Sequence, residues 1–145
     1  MRFASVAGSA SVFLPLCATL ALFGREHLGE AAQRCLAGEA CMLPVIVALR
    51  RLFRRARPSP RKPRAWAAWD LYSFPSHHAA RAWMAAATAA ACIDGAALPA
   101  YFLAVLVGIS RVYLLRHHFT DVLAGAALGL AAASVVAAAF MRVLG

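Results

Sequence analysis

The 145-residue sequence predicts an all-α, integral membrane helical bundle of about five transmembrane helices. Three observations carry that prediction. The chain is 63% hydrophobic with a mean hydropathy of +0.69, well beyond an ordinary soluble domain. Two stretches, Phe3–Gly24 and Val122–Met141, hold no charged residue and are long enough to cross a bilayer core. The remaining apolar stretches are punctuated by Pro, Gly and charged residues, as hairpin connections require. The length suits one domain, residues 1–145.

The first helix is expected over about Phe3–Phe23. Only Met1 and Arg2 precede it, and the apolar run is longer than a signal-peptide core, so it reads as a membrane helix. The second is expected over about Ala31–Phe53, with Glu39 and Pro44 interrupting it. The segment "RPSPRKPRAWAAWD" is a loop, since its prolines cannot continue a helix. Trp66, Trp69 and Tyr72 flank it, as at a membrane–water interface. The third helix runs from near Ser76 to near Ile93 and stops at "DG". The fourth covers about Leu98–Leu115, with Pro99 in its first turn. The fifth covers about Thr120–Val143, and its "GAALG" places small residues four apart for close packing.

The net charge of +9 is local: eight of the fifteen Lys and Arg residues lie between Arg50 and Arg64. That argues against a nucleic-acid surface spread over the chain. Cys17, Cys35, Cys41 and Cys92 lack C-x-x-C spacing and sit in or near apolar segments. They read as small buried residues, not as disulfides or a zinc site.

Alternating hairpins bring three polar clusters to one end of the bundle. In "RRLFRRARP", Arg50 and Arg57 are seven apart and share a face if the helix continues that far. Such a pair can grip phosphate oxygens, or simply anchor a helix end at the membrane. In "YSFPSHHAARAW", Ser76 is a plausible helix cap. The free N–H groups behind it would form an anion cradle. His77 and His78 follow, either as acid–base groups or as a solvated pair. In "SRVYLLRHHFTD", His117 and Asp121 are four apart, with Arg111 upstream. The carboxylate could fix the imidazole tautomer, or the two could be a structural cap.

Together, Arg50-x6-Arg57-Pro58, Pro75-Ser76-x-His78 and Ser110-Arg111-x5-His117-x3-Asp121 resemble the three-part signature of the type 2 phosphatidic acid phosphatase superfamily. The resemblance spans 50–121, and the third part matches in full. The flanks "LYSFPSHHAARA" and "SRVYLLRHHFTDV" look most like polyisoprenoid (presqualene-type) diphosphate phosphatases.

The resemblance implies metal-independent hydrolysis of a lipid phosphate or diphosphate. His117 would be the nucleophile that becomes phosphohistidine, and Asp121 would orient it. His78 would be acid for the leaving group, then base for water. Arg50, Arg57, Arg111, Ser76 and the amides near His77 would hold the phosphate. No cofactor or metal is implied, because guanidiniums and a helix end supply the positive field. The partners are the lipid substrate and the bilayer, not nucleic acid. Two positions depart from the family: Arg50 replaces a lysine and His77 replaces a glycine. If the glycine needs positive φ, His77 would be strained. A catalytically weak lipid-phosphate-binding relative is the first alternative. A metal site built from His77, His78, His117, His118 and Asp121 is the second, opposed by the nearby arginines.

Setting aside Arg50 and Arg57, the loop still holds Arg51, Arg54, Arg55, Arg61, Lys62 and Arg64. The other side holds Arg25, Arg34 and Arg142, offset by Glu26, Glu30 and Asp94. Positively charged short loops stay cytoplasmic. The expected placement is therefore the cell (inner) membrane with a cytoplasmic site.

Overall fold

The computed structural model describes residues 9–59 and 71–144. The expected start of the first helix, Trp66, Trp69, and Arg61, Lys62 and Arg64 lie outside them. Five helices occur among the described residues: α1 (Ala10–Phe23), α2 (Glu26–Phe53), α3 (His77–Cys92), α4 (Ala97–Tyr113) and α5 (Phe119–Leu144).

α1 stops at Gly24, whose N–H bonds to Leu20 O at 2.8 Å. A Cβ at Gly24 would stand 2.3 Å from that same carbonyl, so only glycine fits the turn into α2. α2 begins five residues before the expected Ala31. Its early charges are accommodated locally: Glu26 sits in the first turn, favourable for the helix dipole. Glu30 and Arg34 pair across one turn at 2.5 Å. Neither expected interruption breaks the helix. Pro44 is exposed, and Glu39 is buried but engaged by other helices.

α2 ends where Arg54 adopts a left-handed conformation, φ 45°. That costs a non-glycine residue about 1–2 kcal/mol. Arg57 is therefore not on the helix with Arg50, contrary to the conditional expectation of a shared face; it reaches the same end from the loop. α3 starts at Ser76, whose side chain accepts from Ala79 N–H at 3.5 Å, and ends before the Asp94–Gly95 turn, where Gly95 has φ +73°.

α3 is the central helix, packed on α5, α4 and α2. Its alanines allow close approach. At Gly125 and Gly129 of α5, added Cβ atoms would stand 2.4 Å from Ser76 O and 2.1 Å from Ala80 O. The "GAALG" spacing thus does what small residues four apart allow. The core is Cys17, Cys35, Met42, Ile46, Ala80, Met84 and their neighbours. Cys41, expected to be buried, is exposed.

The exterior is apolar. Phe23, Leu98 and Phe102 are 83%, 83% and 62% exposed, a surface suited to lipid rather than water. Phe119–Arg142 alone among the described residues is long and apolar enough to span by itself; Ala10–Phe23 and Ala97–Tyr113 are apolar but shorter.

Candidate active site

The end of α2, the start of α3, the end of α4 and the start of α5 lie together because their loops are sewn by backbone hydrogen bonds. Ser73 N donates to Arg55 O at 2.9 Å, Ser76 N to Asp121 O at 2.9 Å, and Ser59 N to Leu115 O at 3.1 Å. Leu115, two residues before His117, has φ 52°. This corner thus holds a strained backbone, as functional loops often do.

His117 lies in the α4–α5 connection and is 2% exposed. Its backbone N–H and that of Arg116 both donate to Arg111 O. Its Nδ1 is 2.7 Å from Ser73 O. A carbonyl only accepts, so Nδ1 carries the proton and Nε2 carries the lone pair. Nε2 faces Arg57 Nη1 at 3.3 Å. Burial first, then the Arg57 and Arg111 charges, pushes the imidazole down to about 2, below the ordinary histidine value of 6.5. His117 is therefore a neutral imidazole whose bare nitrogen points into a guanidinium cluster.

The expected His117–Asp121 hydrogen bond is not made. The Nδ1–Oδ2 separation is 3.9 Å. His117 precedes α5, so helical spacing does not govern its side chain. The fully buried Asp121 carboxylate instead accepts from Arg55 Nη1 at 2.8 Å and from His118 N–H at 2.8 Å. The second contact is half of a capping box at the start of α5. Arg55 also donates to Thr120 Oγ1 at 2.6 Å. Tautomer control thus passes from Asp121 to the Ser73 carbonyl. Ser73 is itself fixed, its hydroxyl donating to Arg55 O and Ala56 O at 3.2 and 3.1 Å.

Arg50 is buried in the last turn of α2 and donates to Pro75 O at 3.4 Å. Arg57 also donates to Arg116 O at 3.0 Å. Arg111 is buried in the last turn of α4, and Ser110 beside it bonds back to Val107 O. His78 is half-buried in the first turn of α3, and Arg111 is the cation that acts on it most strongly. The structure therefore brings Arg50, Arg57, Ser76, His78, Arg111, His117 and Asp121 to one corner.

His77 departs from expectation in two ways. Its backbone is helical and not among the positive-φ residues, so the anticipated strain does not arise. Its imidazole is engaged inside the bundle rather than on the anion cradle. Nε2 is 2.9 Å from Glu39 Oε1 and 3.2 Å from Arg81 Nη2. Arg81 holds Glu39 with two nitrogens, Nε to Oε2 at 3.1 Å and Nη2 to Oε1. The guanidinium also stands over the Phe13 ring at 5.4 Å. The His77 backbone N–H lies at the unladdered end of α3.

Sequence reasoning missed Arg55, Ser73, Glu39 and Arg81. Glu39 had a signal, since an ionisable residue inside an apolar span needs a named partner. Arg81 had one too, four residues after His77. A backbone carbonyl such as that of Ser73 leaves none. Among the described residues no three His, Cys, Asp or Glu side chains converge as a metal-binding group.

The chain matches the model of the PAP2 superfamily over residues 16–143. It resembles the crystal structure of a transmembrane PAP2-type phosphatidylglycerolphosphate phosphatase from Bacillus subtilis, with 27% identity and a TM-score of 0.76. That match covers 97% of this chain and 75% of the other. It also resembles Aquifex aeolicus LpxE in fold, with 23% identity, a TM-score of 0.67, and 93% and 81% of the two chains covered. A family match over most of the chain, a shared fold and a lipid-suited exterior lead to one conclusion: this protein is an integral membrane phosphatase of the PAP2 superfamily.

Proposed function

We propose that the protein hydrolyses a lipid phosphate or diphosphate through a phosphohistidine at His117 Nε2. The observation that carries this reading is the His117 imidazole itself. It is neutral, protonated at Nδ1 by its contact with Ser73 O, and aims Nε2 at Arg57.

In the first step Nε2 attacks phosphorus and the bond to the leaving oxygen breaks. His78 gives that oxygen its proton. Arg50, Arg57, Arg111 and the N–H groups at the α3 entrance hold the non-bridging oxygens and stabilise the charge gathered on them. The bound phosphate's own charge favours the imidazolium form of His78. In the second step His78 takes a proton from water, the water oxygen attacks phosphorus, and the P–N bond breaks. Phosphate leaves and His117 returns to its starting state. Asp121 acts at a distance, holding the α4–α5 corner through Arg55 and the His118 N–H.

The first choice of substrate is an isoprenoid diphosphate, on the flanks around Tyr72–Ala82 and Val112–Val122; phosphatidate is second. Phosphate release in detergent from isoprenoid diphosphates and monophosphates, phosphatidate and phosphatidylglycerol phosphate tests this. A tenfold preference in kcat/KM for phosphatidate, about 1.4 kcal/mol, would reverse the order. Vanadate should inhibit and chelators should not; inhibition by chelator that added metal reverses would contradict the scheme.

The site is assigned to the cytoplasmic face of the cell membrane. Arg51, Arg54 and Arg55 at its end of the bundle support this. Ser59→Cys in a cysteine-free background should resist a membrane-impermeant maleimide in intact cells. Labelling would place the site outside.

A further inference from the structure

Past the end of α2, residues 55–59 form an irregular strap that carries Arg57. No helical ladder fixes this backbone, and Pro58 has no N–H to give. Its place is set by donors from other segments. Ser59 N donates to Leu115 O at 3.1 Å, and Ser73 N to Arg55 O at 2.9 Å. Ser73 Oγ donates to Arg55 O and Ala56 O at 3.2 and 3.1 Å. A further donor comes from His118, whose Nε2 stands 3.2 Å from the same Ala56 O. A carbonyl only accepts, so His118 carries its proton on Nε2.

His118 reaches the strap from a fixed point. Its backbone N–H donates to Asp121 Oδ2 at 2.8 Å, and α5 begins at the next residue. In the opposite direction, Arg55 of the strap donates to Thr120 Oγ1 and Asp121 Oδ1. These two cross-links grip the strap at 55 and 56, immediately before Arg57. Ala56 is exposed and has only a methyl side chain, so the strap is held there through its carbonyl. Arg57 Nη1 then lies 3.0 Å from Arg116 O and 3.3 Å from His117 Nε2. A phosphate arriving at Nε2 meets this guanidinium, and a misplacement of about 1 Å is enough to cost such a site much of its rate.

We propose that His118 is a positioning residue for phosphate capture: its Nε2–H, clamped on Ala56 O, sets the strap so that Arg57 stands over His117 Nε2. The inference rests on the phosphohistidine reading above and adds a side chain that the three motifs leave out. His118 touches neither phosphate nor the attacking nitrogen; it acts through Arg57. The half-buried imidazole needs only one donor at Nε2 for this, and a glutamine amide can supply a donor at similar reach.

The test uses the full-length protein in detergent, with vanadate affinity read by calorimetry and kcat/KM read on p-nitrophenyl phosphate and phosphatidate. His118→Phe keeps a ring and loses the donor. It should weaken vanadate binding and lower kcat/KM about tenfold each, the worth of one hydrogen bond. His118→Ala, a second variant without the donor, should do the same and carries the test if the phenylalanine variant misfolds. His118→Gln should return both quantities to within about twofold of the wild type. In an Arg57→Ala background, His118→Phe should change vanadate affinity by less than about twofold, because the group it positions is gone. A glutamine variant as weak as the phenylalanine one overturns the clamp, and so do wild-type values in both donor-less variants. A full tenfold loss in the Arg57→Ala background overturns action through Arg57. Wild-type protein that neither binds vanadate nor hydrolyses either ester removes the phosphatase reading and the positioning role together. Active wild type with variants that fail the pattern removes the positioning role alone.

Discussion

Two pairs of side chains, each four residues apart, stand near the same end of the bundle. His77 and Arg81 both lie within α3, contact each other, and share Glu39 from α2. His117 and Asp121 have the same spacing, yet Nδ1 and Oδ2 stand 3.9 Å apart and each has a closer partner elsewhere. The difference is where the helix begins. α3 starts at His77, so both members of the first pair ride one helical face. α5 starts at Phe119, after His117, so the second pair straddles a corner. The first pair is structural glue inside the bundle. The second is split into an imidazole oriented by a carbonyl and a carboxylate that braces the corner.

The largest expected effect separates the two pairs at once. His117→Ala removes the attacking nitrogen, and phosphate release should fall by roughly 10⁴-fold or more, while Arg81→Ala should act mainly on stability. Near-normal turnover in His117→Ala would break the assignment.

The second prediction sharpens the role of Asp121. If the carboxylate braces the corner through Arg55, Asp121→Asn and Arg55→Gln should each slow turnover by about 10²-fold, and the double variant should be little worse than either single one. A silent Arg55→Gln beside a crippled Asp121→Asn would return Asp121 to direct contact with the imidazole.

The third concerns the buried triad. Glu39→Ala leaves Arg81 and His77 without their shared carboxylate, which should cost about 3–5 kcal/mol. Thermal unfolding in detergent reads it as a lowered Tm. His77→Gly, which restores the family residue, should cost less, about 1–2 kcal/mol from lost contacts and helix propensity. Its pH–rate profile should match the wild type. A shifted profile would move His77 from the bundle interior to the chemistry.

The fourth prediction concerns acid stability. His117 has a native pKa held down to about 2, against 6.5 in the unfolded chain. Its contribution to stability is thus present above pH 6.5 and lost as pH falls towards 2, because the unfolded chain binds a proton that the folded one refuses. The slope approaches about 1.4 kcal/mol per pH unit well below 6.5. Between pH 7 and pH 5, the stability of the wild type should fall more than that of His117→Gln. Parallel curves would contradict the buried neutral imidazole.

The sequence pattern made much of this legible. Uncharged stretches and Pro or Gly punctuation located the helices, and among the helix ends expected within the described residues only the start of α2 moved far, because charged residues at a helix end look like a loop until their partners are seen. The three motifs named Arg50, Arg57, Ser76, His78, Arg111, His117 and Asp121, which the fold brings to one corner. What stayed hidden depends on contacts across the fold. The carbonyl of Ser73 has no side-chain signature. Arg55 looked like one more interfacial arginine. His77 looked like an obstruction at the cradle, because nothing in the local sequence shows that Glu39, thirty-eight positions earlier, turns it inward.

The central claim is that His117 attacks through Nε2 because Ser73 O holds the proton on Nδ1. Rapid acid-free quenching of the His78→Ala variant with a phosphoryl-labelled isoprenoid diphosphate, followed by peptide mass spectrometry and NMR of the modified residue, tests it most directly. The account predicts a phosphoryl group on His117 at Nε2, longer-lived than in the wild type. Phosphate on Nδ1, phosphate on His118 instead, or turnover with no phosphohistidine at all would contradict it.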